Sequence, residues 1–376
     1  MSGIYIHIPF CKKACHYCNF HFSTNLNLQS AVIASIVKEI EIQRHYLNND
    51  KIQTIYFGGG TPSVLNKVEI EGILSAIYKF HDVIDDVEIT LEANPDDLTA
   101  IKLKDLHQAG INRLSIGVQS FEDKDLDWMN RSHNVEQAYN SIKFAQDIGI
   151  SNISIDLIFG CPTNSDEIWY KNLSQTNDLN VPHISCYGLT VEPNTALEKM
   201  IKLGKKEAPD EGRYADQFSS TVKVLNEFGY DHYEISNYAK DEKYSKHNTH
   251  YWLQKKYLGV GPAAHSFNGK ERQWNVSHNS KYIAQIDNGQ VPFEKELLKP
   301  KDIFNEYLLT GLRTKWGCHK SNLAFLGDDH KQQFLYTVDS LIHSGDIIEN
   351  ANHYVLSSQG KLMADNIIAT LFYDHN

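Results

Sequence analysis

Residues 4–22 read IYIHIPFCKKACHYCNFHF. A strand-like run ending at Ile8 gives way almost at once to Cys11, Cys15 and Cys18, at CxxxCxxC spacing. Phe20 stands two residues past the last of them. Three chemistries use thiols this close together. One is a disulfide framework. Another is zinc, with His16 or His21 as a fourth ligand. The third is an iron–sulfur cluster, which ordinarily takes four thiolates. A cluster held by three leaves one iron open, and an open metal position is where a substrate or cofactor binds.

The remaining cysteines, Cys161, Cys186 and Cys318, are scattered and read as ordinary buried residues. An even count of six would suggest disulfides in a short secreted chain. This chain has 376 residues and enters a strand without the basic start and apolar run of a signal peptide. A cytoplasmic location is expected, and crowded thiols there favour a metal or cluster. Hydrophobic residues make up 41% of the chain, enough for a large core. The net charge of −11 gives no general attraction to nucleic acid or an anionic membrane. No apolar run is long enough to span a bilayer. A peripheral membrane contact and a homodimer remain compatible with the sequence.

Outward from the cysteines, short β-branched or apolar runs recur: IYIHI, IQTIYF, VEITLE, NRLSIGV, NISIDLI and HISCYGL. They read as hydrophobic on both faces, as strands buried under helices. Amphipathic helical patterns separate most of them, as in QSAVIASIVKEIEIQRHYL and VEQAYNSIKFAQDIGI. Strand alternating with helix predicts parallel βα units. Glycine-rich or polar stretches follow strand after strand: the cysteines, then GGGTPS, EANP, GVQS, DLIFGCP and YGLTVEP. In a parallel barrel those ends share one face, which carries the active site. Six such runs predict an α/β fold with an open, partial (β/α)6 TIM-like barrel.

The pattern changes near residue 300. KDIFNEYLLTGLR and QQFLYTVDSLIHSG read as helices, DIIENANHYVLS as a hairpin, and SQGKLMADNIIATLF as a last helix. The expected organisation is a barrel over 1–290, with an extension at about 230–290, and a winged-helix-like α+β module over 291–376. From Lys301 onward there are 6 Lys/Arg against 9 Asp/Glu, so the basic footprint of a DNA-binding module is missing. A packing or lid role is expected instead.

The CKKACHYC loop after the first strand, with FGGGTPS after the second, resembles the radical S-adenosylmethionine (SAM) superfamily. That resemblance implies a 4Fe-4S cluster on Cys11, Cys15 and Cys18, with SAM chelating the open iron. Electron transfer from the reduced cluster would then cleave the sulfonium to a 5′-deoxyadenosyl radical, the protein supplying binding and shielding. An electron donor for the cluster is implied as well. The resemblance assigns SAM contacts to Tyr5, Tyr17, Gly59, Gly60, Thr61 and Glu92. It assigns Gln119, Arg131 and Asp156 to the positions for a second SAM in one branch. Taken alone, Glu92 would read as a solvated or capping residue and Asp156 as a loop cap.

YIHIPFC, FGGGTPS, DLIFG, YEISNYA and LGVGPAAHSF resemble the oxygen-independent coproporphyrinogen III oxidase-like group over nearly the whole chain. The true oxidase of that group has a further cysteine two residues after the third. Here that residue is Phe20, and HNTHYW at 247–252 matches the HNxxYW motif of the heme chaperone family HemW. The resemblance therefore implies a protein that binds heme and delivers it to apo-hemoproteins, with His247 as heme ligand. Imidazole is a common axial ligand of heme iron. Two alternatives stay open: a coproporphyrinogen III dehydrogenase, and a radical SAM enzyme with an unrelated substrate.

Overall fold

Ile4, Ile6 and Ile8 alternate with Tyr5 and His7, and this period of two divides the first strand between two environments. The computed structural model describes residues 1–325 and 328–373. In it the isoleucines pack under helices, whereas Tyr5 faces the interior of a barrel.

Six strands pair in parallel in chain order: β1 (Ser2–Ile8), β2 (Ile52–Gly59), β3 (Val83–Ala93), β4 (Arg113–Gln119), β5 (Asn152–Phe159) and β6 (His183–Gly188). Each coincides with one of the six runs read from the sequence. Helices return the chain across the outside, among them Gln29–Ile42, Lys67–Phe80, Ala100–Gln108, Val135–Asp147, Asp166–Asp178 and Glu211–Glu227. Their apolar faces meet Ile55, Phe57, Ile89, Leu91, Leu114, Ile116, Ile153 and Ile155 in one continuous core. The first helix ends at Ile42, short of its apolar pattern, because the chain turns through left-handed Asn48 and Asn49 to reach β2.

The barrel does not close. Beyond β6 lie β8 (Asn237–Ala239) and β7 (Asp231–Glu234), both antiparallel. Beyond β1 lies β9 (Tyr257–Val260), parallel, then β10 (His265–Phe267), β11 (Glu271–Asn275) and β12 (Phe293–Leu297), antiparallel. Both edges of the parallel sheet are thereby covered.

The expectation that the strands are hydrophobic on both faces needs correction. Only the helix-facing side is apolar. The barrel bore carries Thr54, Tyr56, Glu88, Glu92, Arg113, Ser154, Asp156 and His183, bonded or charge-coupled to one another or facing a cavity. A bore that holds a ligand site cannot be filled with Val, Ile and Leu as a closed barrel's is.

The C-terminal residues form a second core around Phe304, Leu308, Phe334, Val338, Tyr354, Leu356 and Ile368. Helix Pro300–Leu312 opens it, followed by β13 (Cys318–His319) and helix Asp328–His343. The predicted hairpin is β14 (Ile347–Glu349) with β15 (His353–Leu356), and β13 adds a third strand the sequence did not announce. The single last helix is in fact two, Ser358–Leu362 and Ala364–Thr370, broken at Met363. Arg313 ties this unit to the barrel through Glu234 at 3.3 Å and lies over the Trp252 ring. No helix among the described residues is long and apolar enough to cross a membrane.

Candidate functional site

The C-terminal ends of β1 to β6 surround a cavity of about 480 Å³. Tyr5, Tyr17, Gly59, Gly60, Thr61, Glu92, Gln119, Arg131 and Asp156 all line it, together with Cys11, Cys15 and Cys18. Residues as far apart in sequence as Tyr5 and Asp156 are thus gathered at one face, as parallel βα topology requires.

The cysteine loop is tied down along its length. Cys11 N–H donates to Ser23 O, Asn130 holds the Ala14 carbonyl at 2.8 Å, and His16 N–H donates to Met129 O. Lys12 is paired with Asp96 and Asp97. Burial pushes the Cys11 thiol up to about 11 and raises that of Cys18. Donors nevertheless point at sulfur: Thr61 Oγ1 at 3.2 Å from Cys11 Sγ, and Arg131 Nη1 at 3.2 Å from Cys15 Sγ. Buried thiols with donors aimed at them suit thiolate ligands of a cationic group, which holds them deprotonated. The two histidines available to zinc are engaged elsewhere, His16 with Trp128 O and His21 with Asn279. Among the described residues no three His, Cys, Asp or Glu side chains are grouped as ligands of a single metal ion.

Arg131 organises the opposite wall. Its Nη2 donates to Asn94 Oδ1 and Gly117 O, each at 2.8 Å, while Nη1 also reaches the Tyr17 hydroxyl at 3.3 Å. Its buried Nε has no hydrogen-bond partner among the described residues. Gln119 sits beside it with φ of 66°, left-handed backbone at the end of β4. Strain of this kind gathers at ligand sites.

Glu92 and Asp156 face the cavity from β3 and β5. Burial pushes Glu92 up to about 7, with the charge of Asp156 adding to it. Burial likewise pushes Asp156 up to about 6. Each carboxylate oxygen can accept more than one hydrogen bond, so hydroxyls or an ammonium of a ligand could bind here as well. The glycines after β2 serve the protein as well as a ligand. A Cβ on Gly60 would lie 2.7 Å from Phe10 O, so this glycine lets β2 close against the cysteine loop. Thr61 N–H then donates to Phe10 O at 2.7 Å.

His247 lies elsewhere. Helix Lys246–Trp252 closes the opposite end of the barrel, and His247 is 1% exposed. Its Nδ1 hydrogen-bonds Thr54 Oγ1 at 2.8 Å and its Nε2 the Tyr251 hydroxyl at 2.9 Å. Neither ring nitrogen is open to a ligand. His250 lines a separate cavity of about 820 Å³ at this base, and its Nδ1 has no partner among the described residues.

Sequence reading missed two residues that shape the site. Asn94 holds Arg131, and the Tyr56 hydroxyl donates to Glu92 Oε1 at 2.7 Å. Both lie within stretches already singled out. Tyr56 alternates along β2 with Ile55 and Phe57 of the helix-facing core, so strand alternation puts it on the bore face.

The chain matches the Radical SAM superfamily over residues 5–173. It is 33% identical to the heme chaperone HemW of Bacillus subtilis, with 98% of each chain covered. It is 34% identical to the heme chaperone HemW of a Synechocystis strain, covering 90% of this chain and 84% of that one. Its fold matches the solved structure of coproporphyrinogen III oxidase (HemN) from Escherichia coli, at TM-score 0.85 and 22% identity, over 98% of this chain and 89% of that one.

Proposed function

Because the chain belongs to the HemW heme chaperone family of radical SAM proteins, we propose that it binds heme and hands it to apo-hemoproteins. The observation that carries this reading over the oxidase is Phe20. It lines the cavity and is 68% exposed, at the position where the oxidase would carry a further cysteine.

Cys11, Cys15 and Cys18 would hold a 4Fe-4S cluster, and the walls around them SAM. When bound, that pair supplies one-electron reductive chemistry. The chain's own residues do the rest. Arg131 keeps a positive charge and a donor at Cys15. Glu92 and Asp156 receive ligand hydroxyls or ammonium. Tyr5, Tyr17 and Gln119 wall off water. An external electron donor belongs to the reading, as does a cytoplasmic location.

The heme side needs movement or a second imidazole. His247 can reach iron only if helix Lys246–Trp252 withdraws from the barrel. His250 already lies on a cavity wall, with Lys243, Lys246 and Lys255 nearby for propionates and Asp86, Glu88, Asp241 and Glu242 opposing them. Burial lowers His250 to about 4, so its imidazole is neutral and able to ligate at neutral pH.

The oxidase reading keeps one observation in its favour: the full set of cofactor-site residues lines an intact cavity. An anaerobic assay with reconstituted protein, coproporphyrinogen III, SAM and reductant separates the two. The chaperone reading expects heme binding and no protoporphyrinogen. Robust protoporphyrinogen formation would overturn it.

A further inference from the structure

One side chain touches both ends of the barrel bore. The Tyr56 hydroxyl donates to Glu92 Oε1 at 2.7 Å, and Glu92 Oε2 accepts from Gly59 N–H at 3.3 Å. The ring of the same tyrosine stacks on the His247 imidazole, with centroids 5.0 Å apart and planes at 24°. Tyr5, a wall of the upper cavity, stacks on Tyr56 at 6.1 Å and on His247 at 6.3 Å. The strands are built to seat this imidazole. A Cβ on Gly3 would lie 2.6 Å from Thr54 Oγ1 and 3.1 Å from the His247 ring.

The helix that brings His247 to this seat is imperfectly satisfied there. Thr249 Oγ1, His250 Nδ1 and Trp252 Nε1 are buried and have no hydrogen-bond partner among the described residues. Unpaired buried polar groups are costly, so these three lower the cost of withdrawing the helix. Withdrawal would take the imidazole from Tyr56, and the hydroxyl that orients Glu92 would lose its fixed position.

We propose that Tyr56 is a positioning residue that couples the SAM cavity to the helix carrying His247, so that SAM binding seats the helix and weakens the hold on heme. The inference rests on the chaperone reading and gives the SAM site a task there: promoting release of the cargo. It requires no bond to form or break. Reciprocity follows by linkage: heme must weaken SAM binding by the same factor.

The test is a pair of anaerobic titrations on the reconstituted full chain, hemin with and without SAM, and SAM with and without hemin. In the unaltered protein each ligand is expected to weaken the other several-fold. Tyr56→Phe keeps the ring against His247 and removes the hydroxyl. It should lower SAM affinity about tenfold, as loss of one hydrogen bond to a charged group does. Its affinity for hemin without SAM should be unchanged, and the mutual effect should vanish. A hemin affinity that ignores SAM in the unaltered chain, or a mutual effect that survives Tyr56→Phe, overturns the proposal. Hydrogen exchange supplies an arm that needs no cofactor. Tyr56→Leu should speed exchange over residues 246–252 while the Gln29–Ile42 helix stays protected, and unchanged exchange there counts against the coupling. A chain that binds neither SAM nor hemin would instead sink the underlying functional reading.

Discussion

Arg131 Nη1 donates to Cys15 Sγ at 3.2 Å while Nη2 of the same guanidinium holds Asn94 Oδ1 at 2.8 Å. One planar fork thus links the cysteine loop to the end of β3. Lysine offers a point charge and cannot span these partners. Arg131→Lys should leave a folded chain, take up clearly less iron on reconstitution, and bind SAM at least about tenfold more weakly. Iron quantification and a SAM titration check this.

Glu92 has a folded pKa of about 7, above its ordinary carboxylate value. The folded chain therefore binds more protons than the unfolded one between roughly pH 4.5 and 7. Stability from this group is present at low pH and is lost as pH rises through 7. Glu92→Gln should stabilise the cofactor-free chain at pH 8 by about 2–3 kcal/mol and have little effect at pH 5. The same variant should bind SAM poorly. Thermal melts at the two pH values decide the first point.

His247 behaves in the opposite sense. Its folded pKa is lowered to about 3, chiefly by burial, so the unfolded state binds the extra proton. Its contribution is present above about pH 6.5 and is lost as pH falls below it. His247→Gln should flatten the acid limb of the stability profile. Hydrogen exchange over residues 246–252 should rise first on acidification of the unaltered chain.

Phe20 is 68% exposed and makes little use of its ring in packing. Phe20→Ser should change stability by no more than about 0.5 kcal/mol, within the usual range for surface substitutions. A melting temperature lowered by several degrees would show that the ring is structural.

The six barrel strands were legible because β-branched runs between helical periods have few other readings. Their bore was not. Thr54, Glu88, Arg113 and His183 look like interruptions in apolar runs until parallel pairing turns them toward one another. The cysteine spacing pointed to the cluster loop, but Lys12–Asp97 and Asn130–Ala14, which hold it, join residues far apart in sequence. The HNTHYW motif pointed to His247 and its aromatic company but not to the helix that carries them. That both nitrogens of His247 are taken, one by Thr54, depends on contacts 193 residues away. The break at Met363 was missed because Gly360 sits inside the first of the two helices and not at their junction, and β13 because two residues after Gly317 are too short to show a strand period.

Heme handover is the most direct test of the central claim. The purified chain, loaded with one equivalent of hemin, is mixed with an excess of apo-hemoprotein, and the Soret band is followed. The heme chaperone function predicts a stoichiometric heme complex whose heme passes to the acceptor. Heme that fails to bind stoichiometrically, or that binds and is never given up, would contradict it.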